Sequence, residues 1–131
     1  IWHMLNLARR INNSERRGSI LELSLLLGAE SLLVNQGLKR LFRRSRPDMG
    51  SRTHPHKIRK PQTSSFPSGH ASSAVLAASI LSKDSKLAPA YKVLAALVAT
   101  SRIHVRAHHA SDVIAGAAVG MIFTRLINSR R

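Results

Sequence analysis

Four apolar blocks of helical length dictate most of what this chain can become. They run roughly over Ile20–Leu38, Ala71–Ser82, Leu87–Ser101 and Asp112–Asn128, and Ala, Leu, Val and Gly predominate in them. Few runs alternate apolar and polar residues as strands do, so all four read as helices. Ile1, Trp2, Met4, Leu5 and Leu7, ahead of Arg9 and Arg10, read as the end of a further helix already under way, so the N-terminal helix is expected to be truncated. Lys83-Asp84-Ser85-Lys86 and then Pro89 make a short polar turn that pairs the second and third blocks as an antiparallel hairpin. The 39–67 stretch, rich in Arg, Pro, Ser and His, reads as an irregular loop. The expected fold is an all-α bundle of about five helices, and residues 1–131 fit one domain.

Small residues recur four apart, as Ala74 with Ala78, Ala95 with Ala99, and Gly116 with Gly120. Such spacing lets helix backbones approach closely, in membrane bundles and in soluble Ala-rich packing alike. Length does not settle insertion, because the blocks fall short of the roughly 20 apolar residues that span a bilayer. The 20–38 block comes nearest but carries Glu22 and Glu30. If it spans, both must face the bundle interior or an interface, since a charge at a helix centre costs on the order of 2.5–3.5 kcal/mol.

Lys and Arg number 21 against 6 Asp and Glu, a formal net charge of +15. An anionic partner is expected. Nine of the 21 cations lie between Lys39 and Lys60, opposed only by Asp48. The six carboxylates, Glu15, Glu22, Glu30, Asp48, Asp84 and Asp112, are scattered, so no oxygen-ligand cluster of the kind that holds Mg²⁺ or a metal pair is visible. With no cysteine, disulfides, thiolate catalysis and cysteine-ligated zinc are excluded.

Three clusters at the edges of helical blocks combine groups suited to phosphate. In the first, Lys39 and Arg46 are seven positions apart, and Pro47 prevents the helix from continuing. If the chain turns between them, both cations converge on one anion, and the guanidinium grips its oxygens in a fork. The second, Pro67-Ser68-Gly69-His70, immediately precedes a helix whose free amides and dipole favour an oxyanion. Ser68 either caps that helix or donates its hydroxyl, and Gly69 lets the backbone approach a ligand. His70, on the first turn, titrates in the range of a general acid. The third is Ser101-Arg102 followed by His108 and Asp112. If 108–112 begin the last helix, the i, i+4 spacing puts imidazole and carboxylate on one face. The carboxylate then fixes the tautomer, leaving the other nitrogen as a nucleophile for phosphorus, with Arg102 near enough to neutralise phosphoryl charge.

Lysine, six residues, Arg-Pro; Pro-Ser-Gly-His; then Ser-Arg, five residues, His, three residues, Asp: in this order and spacing, the chain resembles the type 2 phosphatidic acid phosphatase superfamily, which also holds bacterial acid phosphatases and vanadium haloperoxidases. The match spans residues 39–112, over half the chain. The resemblance implies a helical bundle with its site at the helix ends, no divalent metal or other cofactor, and a phosphohistidine on His108. Lys39, Arg46, Ser68, Gly69 and Arg102 would hold the phosphate. His70 would act as acid and then base, and Asp112 would orient His108. Compactness makes the chain similar to the membrane-embedded members, multi-pass proteins of a bacterial-type inner or plasma membrane that act on lipid or isoprenoid phosphates. The motifs say nothing of the alcohol, the oligomeric state or the membrane face.

Arg40, Arg43, Arg44, Arg52, Lys57, Arg59 and Lys60 read as a solvated basic loop, some of them near lipid headgroups. The positive-inside rule would make that loop cytoplasmic, but phosphate-binding cations confuse the count, and Arg9, Arg10, Arg16 and Arg17 lie on what should be the opposite face. His54, His56, His104 and His109 lack a metal-binding spacing, and His104 and His109 read as solvated or supporting groups. Two rivals are carried forward. One is a non-catalytic module for nucleic acid or anionic membrane, which the five aromatic residues serve poorly as stacking surface. The other is the same pocket loaded with vanadate for peroxidase chemistry.

Overall fold

The computed structural model describes residues 1–5, 7, 19–47, 63–83 and 85–129, and the regular structure among them is helical, with no strand. After a helical stretch over Trp2–Leu5, helix α1 (Ser19–Leu32) runs into π-helical turns at Leu33–Leu38 and a last α-helical turn at Lys39–Leu41. Then come α2 (Gly69–Ser82), α3 (Ala88–His104) and α4 (Ala110–Asn128). The expected blocks are all helices. The first departs from plain α geometry, because π turns change the register in which Lys39 leaves the helix. Expectations for Arg9, Arg10, Arg16, Arg17, Asp48, Arg52, His54, His56, Lys57, Arg59 and Lys60 lie outside the described residues.

Helix α2 is the axis of the bundle, packing on α1, α3 and α4. Its sequence permits this: Ala71, Ser72, Ala74, Leu76, Ala77, Ala78 and Leu81 are all buried, and mostly small, so neighbours approach from several sides. Leu23 of α1 and Tyr91 and Ala95 of α3 complete the main core, against which Trp2, Leu5, Leu27, Ile80 and Val98 pack. Each fully buried Leu, such as Leu23 or Leu81, contributes about 1.5–3 kcal/mol. Glu30 is fully buried on α1 and accepts a 2.6 Å hydrogen bond from Ser73 Oγ of α2, so it faces the bundle interior.

The tightest approach is between α2 and α4. A Cβ on Gly116 would fall inside contact distance of the Ser68 carbonyl oxygen, and one on Gly120 would lie 2.5 Å from the Ser72 carbonyl oxygen. Both obstacles are backbone and cannot swing away, so the four-residue glycine spacing lets α4 dock on the turn that begins α2. Gly116→Ala is therefore expected to destabilise the fold by about 1–3 kcal/mol or more and to displace Ser68. Thermal unfolding in detergent measures it, and a wild-type midpoint would contradict so close a packing.

Candidate active site

Each predicted site residue sits at the same end of the bundle, where α1 and α3 finish and α2 and α4 begin. Ser68 caps α2, its Oγ accepting from the Ala71 amide at 3.4 Å, an arrangement typically worth about 1 kcal/mol. The Ser68 amide donates to the Asp112 carbonyl at 2.9 Å, which fixes the start of α2 to the start of α4. The Gly69 and His70 amides open the helix, where no carbonyl lies four residues back within it to receive them. Lys39 reaches this end from α1, its Nζ 4.0 Å from where a Gly69 Cβ would stand.

Residues 42–47 carry Arg46 across the helix ends without helical structure. Arg46 Nη1 donates to the Ala107 carbonyl at 2.7 Å and Nη2 to Thr63 Oγ1 at 3.4 Å. Two of the guanidinium's five N–H bonds are thereby used, and the fork is aimed by the rest of the site. Arg102, in the last turn of α3, donates from Nε to Ser101 Oγ at 3.1 Å, and its carbonyl accepts the Ala107 and His108 amides at 3.1 and 3.2 Å. That double acceptance, with Arg106 in the left-handed region at φ 52°, turns the chain so that His108 faces inward. The cations of Arg102, Lys39 and Arg46 all bear on the exposed His70 ring.

His108 is buried, and its Nδ1 lies 2.7 Å from the Ser65 carbonyl oxygen. A carbonyl only accepts, so Nδ1 carries the proton and Nε2 presents a lone pair. The expected partner was Asp112, and the structure corrects this: its Oδ2 is 3.9 Å from Nδ1. The i, i+4 relation requires both residues to be helical, whereas α4 starts at Ala110 and leaves His108 in the preceding loop. Asp112 instead accepts from the His109 amide at 2.8 Å, from His109 Nδ1 at 3.2 Å, and from Arg44 Nη1 at 2.8 Å. Burial, followed by the charges of Arg46 and Lys39, pushes the His108 ring below the usual histidine pKa of 6.5, against the opposing pull of Ser65 and Asp112. The folded ring is thus neutral at pH 7. Because the unfolded ring binds its proton near 6.5, acidification below that value favours unfolding.

His104 is exposed and His109 supports Asp112. No three His, Asp or Glu side chains converge as a metal site among the described residues. Two residues not singled out from sequence belong to the site. Ser65 acts through its carbonyl, for which no side-chain signal exists. Arg44, read as a solvated cation, is an ion-pair partner of a fully buried carboxylate.

Residues 19–130 match the model of the PAP2 superfamily. Two relatives, each a decaprenylphosphoryl-5-phosphoribose phosphatase from Mycobacterium tuberculosis (strains CDC 1551 / Oshkosh and ATCC 25618 / H37Rv), are 38% identical over 95 residues, which is 70% of this chain and 50% of theirs. The chain therefore spans about half the length of these relatives. Among solved structures, the first transmembrane PAP2 type phosphatidylglycerolphosphate phosphatase from Bacillus subtilis superposes with a TM-score of 0.74 at 24% identity, over 98% of this chain and 65% of that one. The helical arrangement is shared with that protein.

Proposed function

Since the chain belongs to the PAP2 superfamily, we propose that it is a single phosphatase domain that hydrolyses a lipid or isoprenoid phosphate through a phosphohistidine on His108. The observation that carries this reading is the 2.7 Å contact from His108 Nδ1 to the Ser65 carbonyl, which leaves Nε2 basic at a helix end rich in cations. In the first step Nε2 bonds to phosphorus, the bond to the leaving oxygen breaks, and protonated His70 gives that oxygen its proton. Water then attacks phosphorus while His70 takes its proton, and the P–N bond breaks to release phosphate and free His108. Lys39, Arg46, Arg102, the Ser68 hydroxyl and the Gly69 amide hold the non-bridging oxygens and neutralise charge as it develops. Asp112 orients the loop of His108 through His109. The scattered carboxylates fit a reaction that needs no divalent metal.

A membrane setting is supported by α4, which is long and apolar enough to cross a bilayer and is only 22% buried, whereas the core helix of a soluble protein would be mostly buried. Exposed Leu21, Leu25 and Leu32 on α1, Leu33 in the π turns that follow, and Val93 and Leu97 on α3 extend the same apolar belt. In this reading the chain is a multi-pass protein with its site at the membrane surface, where a phosphate headgroup lies. The name of the 38% identical relatives favours an isoprenoid-linked sugar phosphate among the candidates. Phosphate release in detergent and excess chelator is expected from a panel holding phosphatidic acid, phosphatidylglycerophosphate, isoprenoid diphosphate and an isoprenoid-linked sugar phosphate, the last turning over fastest. Silence across the panel from folded protein, or activity abolished by chelator, would overturn the reading.

A further inference from the structure

Arg44 has none of the roles above, yet it touches two of the segments around His108, the Ser64-Ser65 turn and the start of α4. Its Nη1 donates to Asp112 Oδ1 at 2.8 Å and to Ser111 Oγ at 2.7 Å, on the first turn of α4. Its amide donates to Ser64 Oγ at 3.1 Å, and its carbonyl accepts the Ser65 amide at 3.0 Å. Ser65 Oγ in turn donates to the Ser45 carbonyl at 3.0 Å. The same Ser65 bears the carbonyl that receives His108 Nδ1. Arg44 is therefore one residue removed from His108 by two routes, through the Ser65 backbone and through the Asp112 carboxylate.

The two routes compete for one proton. Nδ1–H has the Ser65 carbonyl at 2.7 Å and the Asp112 carboxylate at 3.9 Å, and a carboxylate is the stronger acceptor. It does not capture the ring because its oxygens are engaged elsewhere, Oδ1 by Arg44 and Oδ2 by His109. Asp112 is fully buried, so the charge on Oδ1 has to be met by some donor. Without Arg44, the His108 Nδ1–H, 3.9 Å from Oδ2, joins the Ser65 and Ser111 hydroxyls as a donor on which the carboxylate can draw.

We propose that Arg44 is a positioning residue that holds the Asp112 carboxylate off the His108 ring, so that the Ser65 carbonyl sets the tautomer and direction of the nucleophile. This rests on the reading of His108 as the nucleophile. The groups facing the ring are the Ser65 carbonyl, Asp112 from α4, Arg46 from the extended segment and Lys39 from the end of α1. Those facing Asp112 are Arg44, His109, the Ser65 side chain and, at 3.9 Å, the His108 ring itself. Removing Arg44 subtracts a cation from this neighbourhood and leaves the carboxylate less compensated, and both changes favour the protonated ring.

The test is Arg44→Met, which keeps much of the side-chain length without charge or donors. Expected is a fall in kcat of roughly 10²-fold, the scale of a small misplacement of a reacting group, with KM nearly unchanged. The His108 ring midpoint, read by NMR on ¹³Cε1-histidine protein and assigned by its loss in His108→Asn, should lie below 6.5 in the wild type and rise in the variant. Arg44→Lys, which can place one donor on Oδ1, should recover most of kcat. If Arg44→Met does not fold, Arg44→Gln takes its place. Wild-type kcat together with a wild-type midpoint in the uncharged variant would overturn the proposal. If that happens while His108→Ala is inactive, only the role of Arg44 is lost; an active His108→Ala sinks the reading beneath it.

Discussion

His108→Ala is expected to abolish turnover, with phosphate release lowered by about 10⁴-fold or more while the fold persists. The size follows from what the side chain supplies. Alanine leaves no nucleophile at phosphorus, and water directed by the remaining cations is a poor substitute, so only the part of catalysis due to binding and charge neutralisation survives. The fold should tolerate the change, because His108 lies in the loop before α4 and its one ring hydrogen bond is to the Ser65 carbonyl. Substrate affinity should also persist, since Lys39, Arg46 and Arg102 belong to other segments. A variant that keeps wild-type kcat would remove His108 from the chemistry.

His70→Ala should lower kcat by about 10²–10⁴-fold on a lipid substrate, the range expected when a positioned acid–base group is lost. Two consequences separate this role from mere phosphate binding. An alkoxide needs a proton to leave and a nitrophenolate does not, so with p-nitrophenyl phosphate the first release of nitrophenol, before the phosphoenzyme turns over, should be impaired far less. The second step still needs a base, so the phosphoenzyme should accumulate and a burst of one nitrophenol per chain should precede a slow steady rate. Equal loss on both substrates with no burst would assign His70 to binding alone. Arg102, Lys39 and Arg46, whose cations bear on this ring, would also share the charge of the phosphate beside it.

The fold was legible where apolar period and small-residue spacing were strong. Gly116 and Gly120 were read as a close-approach pair, and they face the Ser68 and Ser72 carbonyls. The π turns at Leu33–Leu38 were not readable, since the apolar pattern continues through them and only the register changes. For the site, sequence spacing named residues that meet at one end of the bundle, because Lys39, His70, Arg102 and His108 each stand next to a helix terminus and the extended 42–47 segment brings Arg46 to them. Hydrogen-bond partners were less accessible. The i, i+4 rule gave Asp112 to His108, but the helix begins two residues too late for it, and a carbonyl from Ser65, forty-three positions away, takes that place. Arg44 was hidden in a run of like charges, where composition alone does not separate the cation that meets a buried carboxylate from those that meet water.

Everything turns on whether a bond forms between His108 Nε2 and phosphorus. The most direct measurement is rapid acid-free quenching after brief reaction with ³²P-labelled substrate, followed by alkaline digestion-compatible mass spectrometry of the labelled peptide. The account predicts an acid-labile, base-stable phosphoryl group on the peptide containing His108, enriched in His70→Ala and missing from His108→Ala. Label on any other residue, or catalytic turnover by His108→Ala at the wild-type rate, would contradict it.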